Sequence, residues 1–197
     1  MVGSTEIFPA GEYRYEIRRA GEVVAIEETS FDGRKIAGWR RSPDGSNRNE
    51  VEAEISAEGL VHRLNLRYAR GPFSRSAIYE AAEDFLRGSV TALGGRNIIT
   101  AKLGRFREID ADFVLFRALT IAHLRARGQT RWTGRVAAID PATLVASSHK
   151  QSARASGALT WSYEARMGDS EEIEIDAAGR ILSRRDDRGG RTVLVAV

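Results

Sequence analysis

Histidine and tyrosine are the residue types in this chain that could move a proton near neutral pH without a cofactor. Two of its three histidines, His62 and His123, lie among apolar neighbours, whereas His149 lies in the polar stretch SSHKQS. A neutral imidazole beside a tyrosine hydroxyl such as that of Tyr68 can act as a general base or orient a ligand. We therefore take His62, His123 and Tyr68 as candidate catalytic residues. The alternative is that both histidines are core residues hydrogen-bonded to a carbonyl or a tyrosine.

Motifs for metal, thiol or serine chemistry are missing from the sequence. The chain has no cysteine and no HExxH or HxH spacing, so we expect no metal site. There is no GxSxG elbow, and Ser147 to His149 is an adjacency and not a triad. The glycines of LGGRN are not followed by a strand-to-helix phosphate fingerprint and indicate a hairpin turn. We expect no cofactor.

The elements that must position these side chains are mostly strands. Apolar and polar residues alternate with a period of two along almost the whole chain, interrupted by turn signals such as Ala20-Gly21 and Asp32-Gly33. We count about a dozen short strands, six or seven before one apolar stretch and five or six after it. Their short connections imply antiparallel neighbours. In LVHRLNLRYAR the alternation places His62 on the same face as Leu64, Leu66 and Tyr68.

The exception is DFVLFRALTIAHLRARG, residues 112–128, which has the pattern of an apolar helix over about 111–127. At 100° per residue, Phe116, Leu119 and His123 share one broad face. Asp110 or Asp112 is a candidate N-cap, and Gly128 suits the C-terminal stop. A helix this apolar is expected to be buried on more than one side.

Together these elements predict an all-β protein, a single domain over 1–197. An antiparallel meander of this size should curl into a half-barrel or barrel, with the helix covering its apolar concave face. The space between sheet and helix is then the expected binding cavity. We expect these residues to line it: Trp39, Arg40, Tyr79, Phe116, Leu119, Trp132, Trp161 and Tyr163. For one strand two orientations stay open, with either Trp39 or Arg40 facing inward.

Composition narrows the range of partners. The net charge is only +3, from 30 basic and 27 acidic residues that alternate along the chain, so we expect no nucleic-acid binding. No apolar run reaches the roughly 18 residues that a membrane span needs. No signal peptide is visible, which indicates the cytoplasm, or the periplasm if a leader has been removed. A homo-oligomer is left open.

Two hairpin motifs carry a resemblance to a known group of proteins. The opening GEYRYEIRRAGEVVAIEE combines alternating aromatics with a Gly-Glu turn, and the closing EEIEIDAAGRILSRRD contains a D-x-x-G-x-[IL] hairpin. In these features the chain resembles bacterial β half-barrel proteins related to the lipoprotein-carrier (LolA-like) fold, and a calycin-like barrel is the neighbouring alternative. The resemblance implies a curved sheet around a helix and a cavity for a lipophilic ligand, and it identifies no catalytic residue.

Two functions follow as expectations. The first is binding of a hydrophobic or aromatic small molecule between sheet and helix. The second is a cofactor-independent lyase, isomerase or hydrolase acting on such a molecule, with histidine, tyrosine and Arg40 meeting in the same cavity.

Overall fold

The computed structural model describes residues 8–104, 107–165 and 169–196. Within these residues, fifteen strands form one sheet around one helix, which confirms the predicted all-β fold with a single helix. Nine strands precede the helix: β1 (Gly11–Arg19), β2 (Glu22–Phe31), β3 (Lys35–Arg41), β4 (Asn47–Ile55), β5 (Val61–Arg70), β6 (Phe73–Ala82), β7 (Phe85–Ala92), β8 (Gly95–Lys102) and β9 (Ile109–Asp110). The helix α1 (Val114–Ala126) is followed by β10 (Arg131–Ile139), β11 (Ala146–Ala155), β12 (Thr160–Glu164), β13 (Ser170–Ile175), β14 (Ile181–Asp186) and β15 (Gly190–Ala196).

The sheet consists of two antiparallel meanders joined by the first and last strands. Strands β1 to β8 form one meander and β10 to β15 the other, and β1 pairs with β15 to make them continuous. The curved sheet stays unclosed, with β8 and β9 at its edges. Strands β9 and β10 are parallel, because α1 lies between them in the chain and parallel neighbours need such a crossover.

The helix lies on the concave side of this sheet. Every residue from Val114 to Leu124 is buried, as expected for a plug surrounded by strands. The helix begins three residues later and ends one residue earlier than the predicted range of 111–127. Gly128 stops it with φ +64°, and the N–H groups of Gly128 and Gln129 donate to Arg125 and Leu124 in a Schellman motif. No helix of the described residues is long and apolar enough to cross a membrane.

The core lies between α1 and the inward-facing side chains of both meanders. Tyr13 and Tyr15 of β1 are buried, and so are Leu64 and Leu66 of β5. From the second meander, the inward residues include Trp161, Tyr163 and Ile173. Apolar burial of this extent is the main force that closes the sheet around the helix.

A β-bulge in β5 overturns the predicted position of His62. Val61 pairs with Ile55 and Arg63 pairs with Glu54, so His62 is the extra residue of the bulge. The bulge breaks the alternation that was expected to place His62 beside Leu64. The imidazole therefore lies outside, with half of its side-chain surface exposed and its Nε2 3.1 Å from Glu54 Oε2.

We predict that Leu119→Asp severely destabilises the protein. Leu119 is 4% exposed on the buried helix, and an unpaired buried charge typically costs several kcal/mol out of a total of about 5–15 kcal/mol. Thermal and urea unfolding followed by circular dichroism measure the effect. The control Leu93→Asp changes a side chain that is 86% exposed and should melt close to the parent. A Leu119→Asp protein that melts within a degree or two of the parent would contradict the buried position.

Candidate functional site

The N-terminus of α1 is capped from another part of the chain. No side chain caps it locally, and its first turn contains no acidic residue, contrary to the predicted capping by Asp110 or Asp112. Instead, the N–H of Val114 donates to Glu27 Oε1 of β2 at 2.9 Å. Glu27 is completely buried, so a carboxylate lies at the positive end of the helix dipole inside the protein.

Arg40 of β3 holds this carboxylate in place. Its guanidinium donates to Glu27 Oε2 at 2.7 and 3.0 Å, and also to the Asp112 carboxylate at 2.7 Å and to the Asp112 carbonyl. Burial raises the pKa of Glu27, while Arg40 and the Val114 amide oppose that rise. Burial by itself would lower the pKa of Arg40, but Asp112 and Glu27 raise it, so the guanidinium stays charged. Arg40 therefore faces inward, as in one of the two predicted orientations of β3. Its guanidinium is occupied by hydrogen bonds to Glu27 and Asp112, so it is not free to bind a ligand.

A second buried cation, Arg117, lies one turn further along α1. It contacts the Asp110 carboxylate at 3.0 Å and Glu171 of β13 at 3.4 Å, and it donates to Gln151 of β11 at 3.3 Å. Its guanidinium carbon also lies 3.6 Å from the centre of the Tyr163 ring. Arg117 thereby fixes the helix to the second meander, as Glu27 and Arg40 fix it to the first.

His123 lies near the other end of the helix, beside another buried acidic residue, Glu108. Its Nδ1 is 3.6 Å from Glu108 Oε1, and Glu108 accepts a hydrogen bond from Thr120 Oγ1 at 2.7 Å. The cavity beside His123 has a volume of about 10 Å³ and is lined by Phe116 and Leu119 among others. A space this small holds at most a single water molecule, so it offers no room for an organic ligand.

The remaining predicted site residues do not converge on one point. Tyr68 is half-buried against the core, and Tyr79 donates to the Leu144 carbonyl at 2.7 Å, which holds the β10–β11 loop on β6. Trp132 and Trp161 are buried, and the Tyr163 hydroxyl donates to Gln151. The three candidate catalytic residues are also not close together, because His62 is exposed on the outer side of the sheet and His123 is buried on the concave side. The arrangement expected for acid–base catalysis is therefore not formed.

The outer face of the sheet carries a larger space, which we call the Trp39 cleft. It has a volume of about 560 Å³ and crosses β15, β1, β2 and β3. Register places Arg14, Glu28 and Trp39 in one cross-strand row and Glu12, Ser30 and Ala37 in the row two residues away. The cleft is lined by these six residues together with Tyr13, Thr29, Gly38 and Ala196.

Small side chains leave this depression beside a large indole. By register Gly38 pairs with the inward-facing Thr29, so only its backbone lies beneath the cleft. Ser30 and Ala37 project little, whereas Trp39 stands above them. The guanidinium groups of Arg41 and Arg48 lie 4.6 and 5.8 Å from the indole centre. By register both arginines are on the side of Trp39 away from Ala37, so they support the ring without filling the cleft.

Sequence analysis missed the buried carboxylates that organise the interior. Glu27 shares the inward face of β2 with Thr29 and Phe31, so strict alternation could have identified it as an acid on an apolar face. Glu108 and Asp110 precede the helix in a segment where β9 is only two residues long, and no periodic pattern distinguishes them. Trp39 was predicted as a ligand-binding residue, and the structure places it beside a cleft, but on the outer face.

Comparison with known proteins supports the architecture. No protein-family model matches the chain, and no curated protein matches it. A solved crystal structure of a DUF1089 family protein from Pseudomonas aeruginosa matches with a TM-score of 0.61 and 16% identity. The match covers 84% of this chain and 90% of the other. At this identity the similarity establishes a shared β-rich fold and nothing about activity.

We predict that Glu27→Gln lowers the free energy of unfolding by about 3 kcal/mol, since it leaves the buried Arg40 with one carboxylate partner. Urea denaturation at neutral pH measures this. Glu28→Gln is the matched control, because the Glu28 side chain is 41% exposed and only 3.6 Å from the exposed Arg14. An exposed pair of this kind contributes about 0–1 kcal/mol. Equal effects of the two substitutions would show that Glu27 does not anchor the helix.

We also predict an acid-dependent contribution from Asp110. Burial by itself would raise the pKa of Asp110, but Arg117 and the Asp112 amide outweigh it and hold the pKa below its usual value. A depressed carboxyl pKa stabilises the fold above the unfolded value of about 3.9, and this stability is lost as the pH falls through the folded value. The stability gap between the parent and Asp110→Asn should therefore be largest at neutral pH and shrink below about pH 4. Urea denaturation at several pH values tests this, and a constant gap would contradict it.

Proposed function

We propose that the protein binds a small aromatic molecule in the Trp39 cleft. The observation that carries the proposal is a ligand-sized space on the sheet that borders a half-buried tryptophan. Its volume of about 560 Å³ lies within the range of roughly 300–1,000 Å³ that is usual for small-molecule sites. Tryptophan is enriched at interfaces, because its ring combines a large apolar surface with a polar N–H group.

The chemistry of the lining residues describes the ligand. A flat ring can stack on the face of Trp39 that borders the cleft, above Ser30 and Ala37, where small side chains leave room. Arg14 and Glu28, 3.6 Å apart, lie beside the ring position and can bind polar substituents of either sign. Because Arg14 and Glu28 are exposed, their contacts with a ligand are weak. Stacking on Trp39 should therefore supply most of the affinity, and the two charges should set the orientation of the ligand.

The outer face is preferred over the concave face because α1 fills the latter. The lipoprotein-carrier resemblance implies a lipophilic ligand between sheet and helix, but Glu27, Arg40 and Arg117 hold the helix against the sheet there. The cavity beside His123 is about 10 Å³, against about 560 Å³ for the Trp39 cleft. A ligand inside would have to displace the helix and break its buried ion pairs, whereas the outer cleft requires no rearrangement.

Fluorescence titration with 4-nitrophenol and its charged and neutral derivatives tests the proposal. Trp132 and Trp161 are buried, so an aromatic quencher in solution reports mainly on Trp39. We expect saturable quenching, with the derivatives ranked by their polar substituent. Quenching that rises linearly with concentration for every derivative would indicate random collision and would contradict a binding site.

We predict that Ala37→Arg abolishes saturable quenching, because its side chain fills the cleft without changing the core. Trp39→Ala should weaken binding at least about tenfold, measured by ligand-observed NMR, since the stacking contact is lost. The matched control is Ser74→Arg, which places the same side chain on the outer face of β6, three strands away. Binding that survives Ala37→Arg, or is lost equally in Ser74→Arg, would place the ligand elsewhere.

A further inference from the structure

Strand β8 forms one edge of the sheet, and its hydrogen-bonding groups can be assigned from its hairpin. The β7–β8 turn consists of Leu93 and Gly94 at φ +42° and +80°, the two positive values of a type I′ turn. Such a turn makes Ala92 and Gly95 a hydrogen-bonded pair. Alternation then directs the N–H and C=O groups of Arg96, Ile98, Thr100 and Lys102 away from β7.

The structure supports this assignment and shows where the edge is covered. The Lys102 carbonyl accepts a hydrogen bond from Ser148 Oγ of β11 at 2.8 Å, so its backbone does face outward. Beyond Lys102 the chain contacts β10, where the Gly104 amide donates to the Arg135 carbonyl. In contrast, Arg96, Ile98 and Thr100 are exposed. In the part of the chain that the structure describes, no strand pairs with this half of β8.

The open half of β8 lacks two features that commonly protect edge strands, a bulge and a proline. Its pairing with β7 is regular. On the outer face Ile78, Ser89 and Ile98 are cross-strand neighbours, so two isoleucines flank one serine. Ile98 is 75% exposed and Ile78 is 49% exposed. A regular open edge with an exposed isoleucine is a template for another strand.

We propose that β8 pairs antiparallel with β8 of a second copy of this chain. The register that uses every free backbone group places Ile98 opposite the partner's Ile98 and Arg96 opposite the partner's Thr100. Three residue pairs of this type exchange roughly six hydrogen bonds. The two Ile98 side chains then meet on the outer face at the two-fold axis.

Charge selects this register over its neighbours. Opposite Thr100, Arg96 faces a neutral side chain, and Lys102 comes opposite the partner's Gly94. A shift by one hydrogen-bonded pair in one direction would bring Arg96 opposite the partner's Lys102, which is destabilising. A shift in the other direction would place Thr100 opposite the partner's Gly94, a residue of the turn, and would therefore lose backbone hydrogen bonds. The strand is thus self-complementary in one arrangement.

Cysteine cross-linking tests the register directly, because the chain contains no cysteine of its own. Hydrogen-bonded pairs have Cα and Cβ atoms about 5.5 Å apart, a distance that a short bifunctional thiol reagent bridges. With such a reagent Ile98→Cys should form a covalent dimer. Arg96→Cys alone should not, whereas an equal mixture of Arg96→Cys and Thr100→Cys should form a heterodimer. Failure of Ile98→Cys to cross-link, or equal cross-linking by Arg96→Cys alone, would overturn the proposed pairing.

Sedimentation equilibrium of the parent protein supplies the second test. We expect a reversible monomer–dimer equilibrium, with a dissociation constant raised at least tenfold by Ile98→Lys. Leu93→Lys is the matched control, because it also removes an exposed apolar side chain from this hairpin but lies in the turn. Unchanged melting temperatures would show that both variants are folded. A monomeric parent, or a dimer that Ile98→Lys leaves intact, would overturn the proposal.

Discussion

The hydrogen bond from the Val114 amide to Glu27 is the contact on which the interior depends. A helix inside a curved sheet has unpaired N–H groups at its first turn, and solvent cannot reach them. Because the segment before α1 supplies no cap, the acceptor comes from β2, 87 residues earlier in the chain. Arg40 then has to compensate the buried carboxylate, and it also binds Asp112 just before the helix. The cap at Val114 thus connects β2, β3 and the N-terminus of α1.

The buried charges that follow from this arrangement explain why recognition is proposed for the outer face. An ion pair inside a protein gains little net stability, because desolvation offsets most of the attraction, but it penalises every other placement of the helix. Glu27 with Arg40, and Asp110 with Arg117, therefore specify depth and rotation of α1 more than they strengthen the fold. Side chains that form these buried ion pairs are not available to bind a ligand, whereas the indole of Trp39 borders an open cleft.

The sequence was sufficient to predict the strands and the helix. Prediction failed where a single residue changes the face of the sheet on which a side chain lies. Period-two alternation and glycine turns predicted the hairpins, and the helix stop at Gly128 was correct because a positive φ favours glycine. His62 was misplaced because a β-bulge leaves no pattern in the sequence and reverses every inference drawn across it. The cap by Glu27 was not predicted because it depends on a contact between distant segments. For Trp39 and Arg40, both orientations of β3 fitted the alternation.

The pairing of β1 with β15 has a consequence for how the protein is made. Strand β1 is synthesised before the other strands and gains its second neighbour only when β15 has been made, as the register of Arg14 with Ala196 shows. Bringing together segments so far apart costs loop-closure entropy, and topologies dominated by distant contacts fold slowly. Until then the first meander has an open edge at β1 as well as at β8. A chain that has formed the first meander but not yet β15 is therefore prone to aggregate, and chaperones that shield exposed strands protect it at this stage.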